Sequence, residues 1–313
     1  MKVTENSSEH KYKIQEVYSR EDPKLPRWYF GGIAGAATVL VTHPIELLKV
    51  LIQVQKARSK PTTKMVRKII KTEGFLAFYS GLSASISRQL TYSTAKFALY
   101  EQAKYYMDMN NFSSKVMAGA VSGFVGGWVG VPADIVNVRM QSDIRRNSKY
   151  RRNYRNVVHG LMEIYQKEGF VQIYRGSTMA CMRSVLLSVG QLSIYDELQI
   201  ITLRTGLVND NLLTHLTCSL IAGIAASLLS QPFDMIKIKL MNAEPGEYKG
   251  VWDCVRHTSK SGPRAFFKGV VPSAVKIIPN TVIGFIVYEQ LIKYFGYVPR
   301  KDLNKVLDSS GQK

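Results

Sequence analysis

Val41-Thr42-His43-Pro44-Ile45-Glu46-Leu47-Leu48-Lys49 states a pattern that this chain writes three times. Val131-Pro132-Ala133-Asp134-Ile135-Val136-Asn137 is the second copy and Gln231-Pro232-Phe233-Asp234-Met235-Ile236-Lys237 the third. Each runs Pro, any residue, an acid, two apolar residues and a base, with Asn137 in place of the base in the second copy. Each also closes a long uncharged run rich in small residues. Gly35, Gly123 and Gly223 lie nine residues before the prolines, and Gly31, Gly119 and Ser219 lie four earlier still. Small residues at that spacing let helix backbones approach closely in lipid. A repeat of fixed spacing sets the architecture before any other feature is weighed.

The rest of the chain fits spans joined by charged connections. Its 313 residues carry a net charge of +19, which suits nucleic acid, an acidic membrane surface or small anions. Cys181, Cys218 and Cys254 have no paired spacing, so neither a disulfide framework nor a zinc site is expected. Residues 1–26 are polar and mixed in charge, without the apolar region of a secretory signal or the acid-poor character of a transit peptide. The mean hydropathy of -0.07 is low for a membrane protein. Even so, the uncharged runs Trp28–Ile45, Val116–Ala133 and Leu212–Phe233 are each long enough to span a bilayer. Three more apolar segments, about 82–104, 177–200 and 270–293, each contain a base, and long basic connections dilute the average.

Taken in order, the chain divides into a tail (1–26), three two-span units (27–112, 113–210 and 211–296) and a second tail (297–313). The first span opens at Trp28 and Tyr29, aromatics suited to the interface, and runs to about Gln53 with a kink at Pro44. Spans three and five cover about 114–141 and 212–240. Within each unit a connection with a short helix leads into a recurring segment. The three are Glu73-Gly74-Phe75-Leu76-Ala77-Phe78-Tyr79-Ser80-Gly81, Glu168-Gly169-Phe170-Val171-Gln172-Ile173-Tyr174-Arg175-Gly176 and Ser261-Gly262-Pro263-Arg264-Ala265-Phe266-Phe267-Lys268-Gly269. The expected fold is an all-α membrane protein: six transmembrane helices in three tandem repeats, pseudo-threefold about the membrane normal. The connections 53–80, 141–175 and 241–268 hold 20 Lys/Arg against 7 Asp/Glu, which places them inside and both termini on the other side.

Arg88, Arg183 and Lys276 each lie seven residues after the Gly that starts an even-numbered span. A charge well inside a bilayer costs ~2.5–3.5 kcal/mol and turns to a wet interior. The bland alternative is snorkelling to the headgroups. Equal depth, with no acid within four residues on the same span, favours an anion site in which arginine forks hold oxyanions bidentately. Lys96, eight residues beyond Arg88 on roughly the same face, is an added contact or an interfacial cation. The acid and base of each Pro motif share a helix face, so three such helices would close one end with a ring of ion pairs. The plain alternative is Pro kinks with solvated charges. No His/Cys/Asp group has catalytic or metal-ligand spacing, and no phosphate-binding loop is present. The arginines around residue 150 lack the interleaved aromatics of a nucleic-acid face and read as a solvated membrane surface.

The tandem Pro-x-Asp/Glu-x-x-Lys/Arg and Asp/Glu-Gly-x-x-x-x-aromatic-Lys/Arg-Gly motifs, three times over about 27–296, resemble the mitochondrial carrier family. Asn137, Ser80 and Ser261 depart from the pattern. Pro26–Gly32, Pro132–Gln141 and Ser188–Asp196 are similar to the branch that handles dicarboxylates. That resemblance implies exchange of malate, succinate or malonate for phosphate, sulfate or thiosulfate across the inner mitochondrial membrane, by a monomer. It implies substrate contacts at Arg88, Arg183 with Ser184, and Lys276. It further implies a matrix gate pairing Asp134 with Lys237, Asp234 with Lys49 and Glu46 with Asn137, braced by Gln53 and Gln141 but not at Met241. Its cytoplasmic gate would pair Glu289 with Lys104 and, more weakly, Glu101 with Gln199, leaving Asp196 without a base. The empty carrier should rest with the matrix gate closed. Free N–H groups and the positive dipole end at Gly81, Gly176 and Gly269, beside Arg175 and Lys268, suit the phosphates of cardiolipin, which the resemblance also implies. Rival readings are an oxoglutarate-type or uncoupling-type carrier, or a non-transporting membrane protein that kept the fold. Charges retained in the interior argue against the last.

Overall fold

A computed structural model describes residues 27, 29–55, 62–108, 111–146, 150–205 and 212–296; the two tails and Trp28 lie outside it. The six long helices are α1 (Phe30–Gln53), α3 (Leu82–Tyr106), α4 (Phe112–Asp143), α7 (Ser177–Thr205), α8 (Leu212–Asn242) and α10 (Val270–Phe295). Shorter helices lie on the connections: α2 (Thr62–Glu73), α5 (Val157–Glu168), the single turn α6 (Phe170–Ile173) and α9 (Val251–Ser259). No strand occurs among the described residues. The long helices pack as a closed ring in the order α1, α3, α4, α7, α8, α10 and back to α1. We call the end with the prolines and connections the Pro end, and the other, where the repeats are linked, the link end.

Pro44, Pro132 and Pro232 sit inside α1, α4 and α8, which continue past them. An interior proline removes a backbone donor and bends the helix. In two repeats the residue before it ties the bend down. His43 Nε2 lies 3.0 Å from the Ser80 carbonyl oxygen, and Gln231 Nε2 donates to the Lys268 carbonyl at 2.9 Å. Val131 has no such group; there Trp128 stacks on Tyr174 with centroids 5.2 Å apart. Both glycines of each recurring segment have left-handed backbones, with φ from +79° to +88°, a region closed to most other residues. They turn the chain sharply off its connection and into the next span.

The small-residue faces pack unequally. A Cβ on Gly123 would stand 2.9 Å from Ser188 Oγ and 3.0 Å from the Ser184 carbonyl, so α4 and α7 touch backbone to backbone. On Gly223 it would meet Ile277 at an ordinary 3.4 Å, a looser seam between α8 and α10. By length and composition α1, α4, residues 217–242 and residues 263–295 are apolar enough to cross a membrane. Helices α3 and α7 fall short because polar and charged residues are spread along them. The ring's outer face carries exposed Leu40, Val41, Phe124, Leu229 and Ile286, as contact with lipid requires.

The arginines around residue 150 are more than a solvated face, although Arg145 and Arg155 remain exposed. Arg145 donates to the Leu51 carbonyl at 3.1 Å, and Arg151 grips Glu73 through two nitrogens at 2.6 and 3.3 Å. Arg146 reaches Glu244 at 2.9 Å and Arg152 reaches the Asn242 carbonyl at 2.9 Å, where burial lowers the Arg152 guanidinium to about 10. The second connection therefore clasps the first and third repeats. Spacing could not reveal these partners, because they belong to other repeats.

Candidate functional site

Toward the Pro end the bundle encloses a cavity of about 50 Å³, whose lining includes five bases and three acids. The acids Glu46, Asp134 and Asp234 come from the Pro motifs of α1, α4 and α8, each two residues after its proline. Lys49 and Lys237 come from the same motifs, while Arg88, Arg183 and Lys276 enter from α3, α7 and α10. The left-handed glycines begin these last three helices, so two turns of helix carry each base to the same depth.

The motif charges meet across repeats. Lys237 pairs with Asp134, and Lys49 Nζ lies 2.6 Å from Asp234 Oδ2. Asn137 Nδ2 donates to Glu46 Oε1 at 3.4 Å. Gln53 Nε2 donates to Asp234 Oδ2 at 3.2 Å and Gln141 Nε2 to Asn137 Oδ1 at 3.0 Å, so each glutamine supports one crossing. Buried Met241 stands at the third such position and has no polar group to give. Ser85 joins the same knot, donating to Asn137 Oδ1 at 2.8 Å. Sequence reasoning passed over Ser85, although the signal was there: a serine four residues after the span-starting glycine recurs as Ser273, which donates to Gln231 at 3.3 Å.

Arg88, Arg183 and Lys276 are not free cations. Lys276 Nζ lies 2.8 Å from Glu46 Oε2 and Arg183 Nε 2.7 Å from Asp234 Oδ1. Arg88 sits between Glu46, at 3.5 Å, and Asp134, at 3.8 Å. Searching for acids only along the same span missed these partners, which come from the facing Pro helices. Among the described residues the Arg88 Nε donor still has no hydrogen-bond acceptor. Ser184 is buried against Gly127 and does not line the chamber. Lys96 is also absent from that lining. It borders a second cavity of about 280 Å³ nearer the link end, with Tyr100, Ser188, Gln191 and Tyr195, and its ammonium lies 6.0 Å from the Tyr92 ring.

At the link end no pair crosses between repeats at the expected positions. Lys104 turns back to Glu101 on its own helix at 2.7 Å, so neither Glu289 with Lys104 nor Glu101 with Gln199 closes. Asp196, expected to lack a base, lies 3.9 Å from Lys115 of α4. The cations expected beside the span-starting glycines are also occupied. Arg175 donates to the Glu244 and Tyr248 carbonyls at 3.1 and 3.3 Å, and Lys268 to the Gln55 carbonyl at 3.5 Å. Another buried charge went unnoticed in the sequence: Arg139 is 0 % exposed and forks onto Glu168 at 2.5 and 2.8 Å.

A ring of six spans around a charged chamber, with ion pairs crossing between repeats at one end and none crossing at the expected positions at the other, is the build of a membrane solute transporter. The mitochondrial carrier protein family matches three successive segments, 21–111, 108–205 and 208–298, and the chain belongs to that family. It is 44% identical over 279 residues to the mitochondrial dicarboxylate carrier of Caenorhabditis elegans, covering 88% of this chain and 96% of that protein. It is 38% identical over 283 residues to a probable mitochondrial 2-oxoglutarate/malate carrier protein of Dictyostelium discoideum, covering 86% of this chain and 89% of that protein. A third relative, the mitochondrial citrate transporter F of Aspergillus niger, is 39% identical over 280 residues, covering 86% and 89%.

Proposed function

We propose that this carrier exchanges dicarboxylates such as malate, succinate or malonate for phosphate, sulfate or thiosulfate across the inner mitochondrial membrane, by alternating access. The observation that carries this reading is the chamber's charge: five bases against three acids leave two positive charges for a dianion to neutralise. The name of the Caenorhabditis elegans relative points the same way. Arg88, Arg183 and Lys276 hold the dianion near the midplane, the two arginines offering planar forks to its oxygens. Ser184 sets the packing behind Arg183, and Lys96 is a cation on the approach to the chamber from the link end. The Pro-end pairs are the matrix gate, and Glu101, Lys104, Asp196, Gln199 and Glu289 belong to the cytoplasmic gate. Both termini then face the intermembrane space, since the basic connections stay on the matrix side. Cardiolipin phosphates cap the backbone N–H groups at Gly81, Gly176 and Gly269, and the protein works as a monomer.

Liposomes containing the protein test the reading. Labelled malate should enter when phosphate or sulfate is inside and fail to enter empty vesicles. A second reading, an oxoglutarate-type carrier, rests on the Dictyostelium discoideum relative. Internal oxoglutarate supporting malate entry while internal phosphate does not would favour it. Proton leak without anion exchange would mark an uncoupling-type protein, and no flux at all a scaffold.

A further inference from the structure

The three acids of the chamber differ in what each would keep if the three bases from α3, α7 and α10 were withdrawn. Asp134 would keep Lys237, and Asp234 would keep Lys49 at 2.6 Å and Gln53 at 3.2 Å. Glu46 would keep only the neutral amide of Asn137 at 3.4 Å. Its present cations are Lys276 at 2.8 Å and Arg88 at 3.5 Å, both of them groups that the dianion requires under the function proposed above. The Glu46 side chain is 10% exposed, so solvent does little to replace a lost partner. A neutral hydrogen bond of that length is no substitute for two charges around a shielded carboxylate.

We infer that Glu46 is a stand-in for the substrate: in the empty chamber its carboxylate occupies two of the three cations that the incoming dianion must take. The inference rests on the dianion-exchange reading but not on which dianion is carried. Asn137 creates the arrangement, because a base at that position would hold Glu46 on the gate and leave Arg88 and Lys276 to the ligand. Loading is therefore a replacement of one carboxylate by another. The displaced Glu46 is left on the weakest crossing of the Pro end, so the seam between α1 and α4 is where the gate starts to part. The other two crossings keep their lysines and follow.

The test is equilibrium binding of malate and, separately, of sulfate to purified protein, together with turnover in liposomes and thermal unfolding. Asn137→Lys should tighten binding roughly three- to tenfold, the scale of one partly shielded ion pair, while slowing turnover and raising the unfolding temperature. Glu46→Gln should tighten binding by a similar factor and should lower the unfolding temperature. Asp134→Asn is the control for general electrostatics: Asp134 is tied to Lys237 and stands only 3.8 Å from Arg88, so its removal should tighten binding clearly less than Glu46→Gln does. Unchanged or weaker binding in Glu46→Gln would overturn the inference, even if Asn137→Lys failed to fold. Equal tightening by Asp134→Asn would overturn it as well, since the effect would then be charge in general. If wild-type protein bound sulfate and not malate, the dicarboxylate reading would fail while the sulfate series still judged the stand-in.

Discussion

The two ends of the bundle are built from the same repeated chain yet end up opposite in character. At the Pro end every acid of the ring reaches across to another repeat, and two glutamines add support. At the link end Lys104 folds back onto its own helix, and Glu289 has no ion pair among the described residues. The difference comes from where a few bases sit: Lys49 and Lys237 reach acids of other repeats, whereas Lys104 and Lys115 meet Glu101 and Asp196 within their own. It shows that a symmetric scaffold sets where gates stand, while the residues at each gate set which one rests closed. The two Pro-end ion pairs are largely buried, where the cost of desolvation offsets much of their attraction, so they bias the equilibrium without locking it.

That contrast can be broken in graded steps. The largest effect is expected from Arg183→Gln, which removes a fork shared by the chamber and the Pro-end ring. Exchange should fall by about 100-fold or more, the loss of a ~3 kcal/mol charge-assisted contact, while the protein still folds and inserts. Near-normal uptake by that variant would remove Arg183 from the site. Next comes Asp134→Asn, which leaves Lys237 shielded and without its acid. Thermal unfolding in detergent should show a loss of ~3 kcal/mol, and an unchanged melt would mean that the Pro end is not held by this pair.

A gentler change works from the opposite side. Gln199→Lys supplies a base that can meet Glu101 and should shift the population toward a closed link end by a few-fold, given the ~1 kcal/mol ceiling of an exposed pair. Distances between spin labels across the link-end mouth would record the shift. No change would mean that the mouth is too wide for one pair to span. The smallest effect belongs to Glu73, whose carboxyl is held below its ordinary 4.5 by the hydrogen bond from Arg151. The stability from this clasp is complete above that ordinary value and is lost as pH falls through the lower folded value. In Glu73→Gln the acid branch of the unfolding curve should flatten slightly, and an identical curve would show that the clasp contributes nothing.

Much of this was legible in the chain because symmetry wrote it three times. The Pro motifs gave the kinked helices and the crossing pairs, and the bases at equal depth gave the chamber. The polar residues spread along α3 and α7 lowered the average hydropathy of those spans, but the charge inside each already marked it as lining an interior. What escaped were contacts made between repeats by residues that occur only once. Arg145, Arg146, Arg151 and Arg152 resembled a solvated patch because the partners that hold them most closely lie in other repeats. Lys96 shares a helical face with Arg88, but eight residues place it about 12 Å along the helix, beyond the inner chamber. Neither fact is carried by spacing alone.

The span-starting glycines have a mechanical consequence. A Cβ on Gly81 would touch Met140 at 3.2 Å, one on Gly176 would touch Met241 at 3.3 Å, and one on Gly269 would touch Gln53 at 3.0 Å. Each even-numbered span thus begins against the Pro helix of the following repeat, and the third rests on the first. The three sockets form a cycle with no free end, so a repeat that swings at its Pro kink must push the next one round. Such a cycle disfavours mixed states with one seam open and two shut, because the packed contact offers no intermediate fit. A single weak crossing can choose where motion begins, but the cycle makes it finish as one concerted step, like the iris of a shutter.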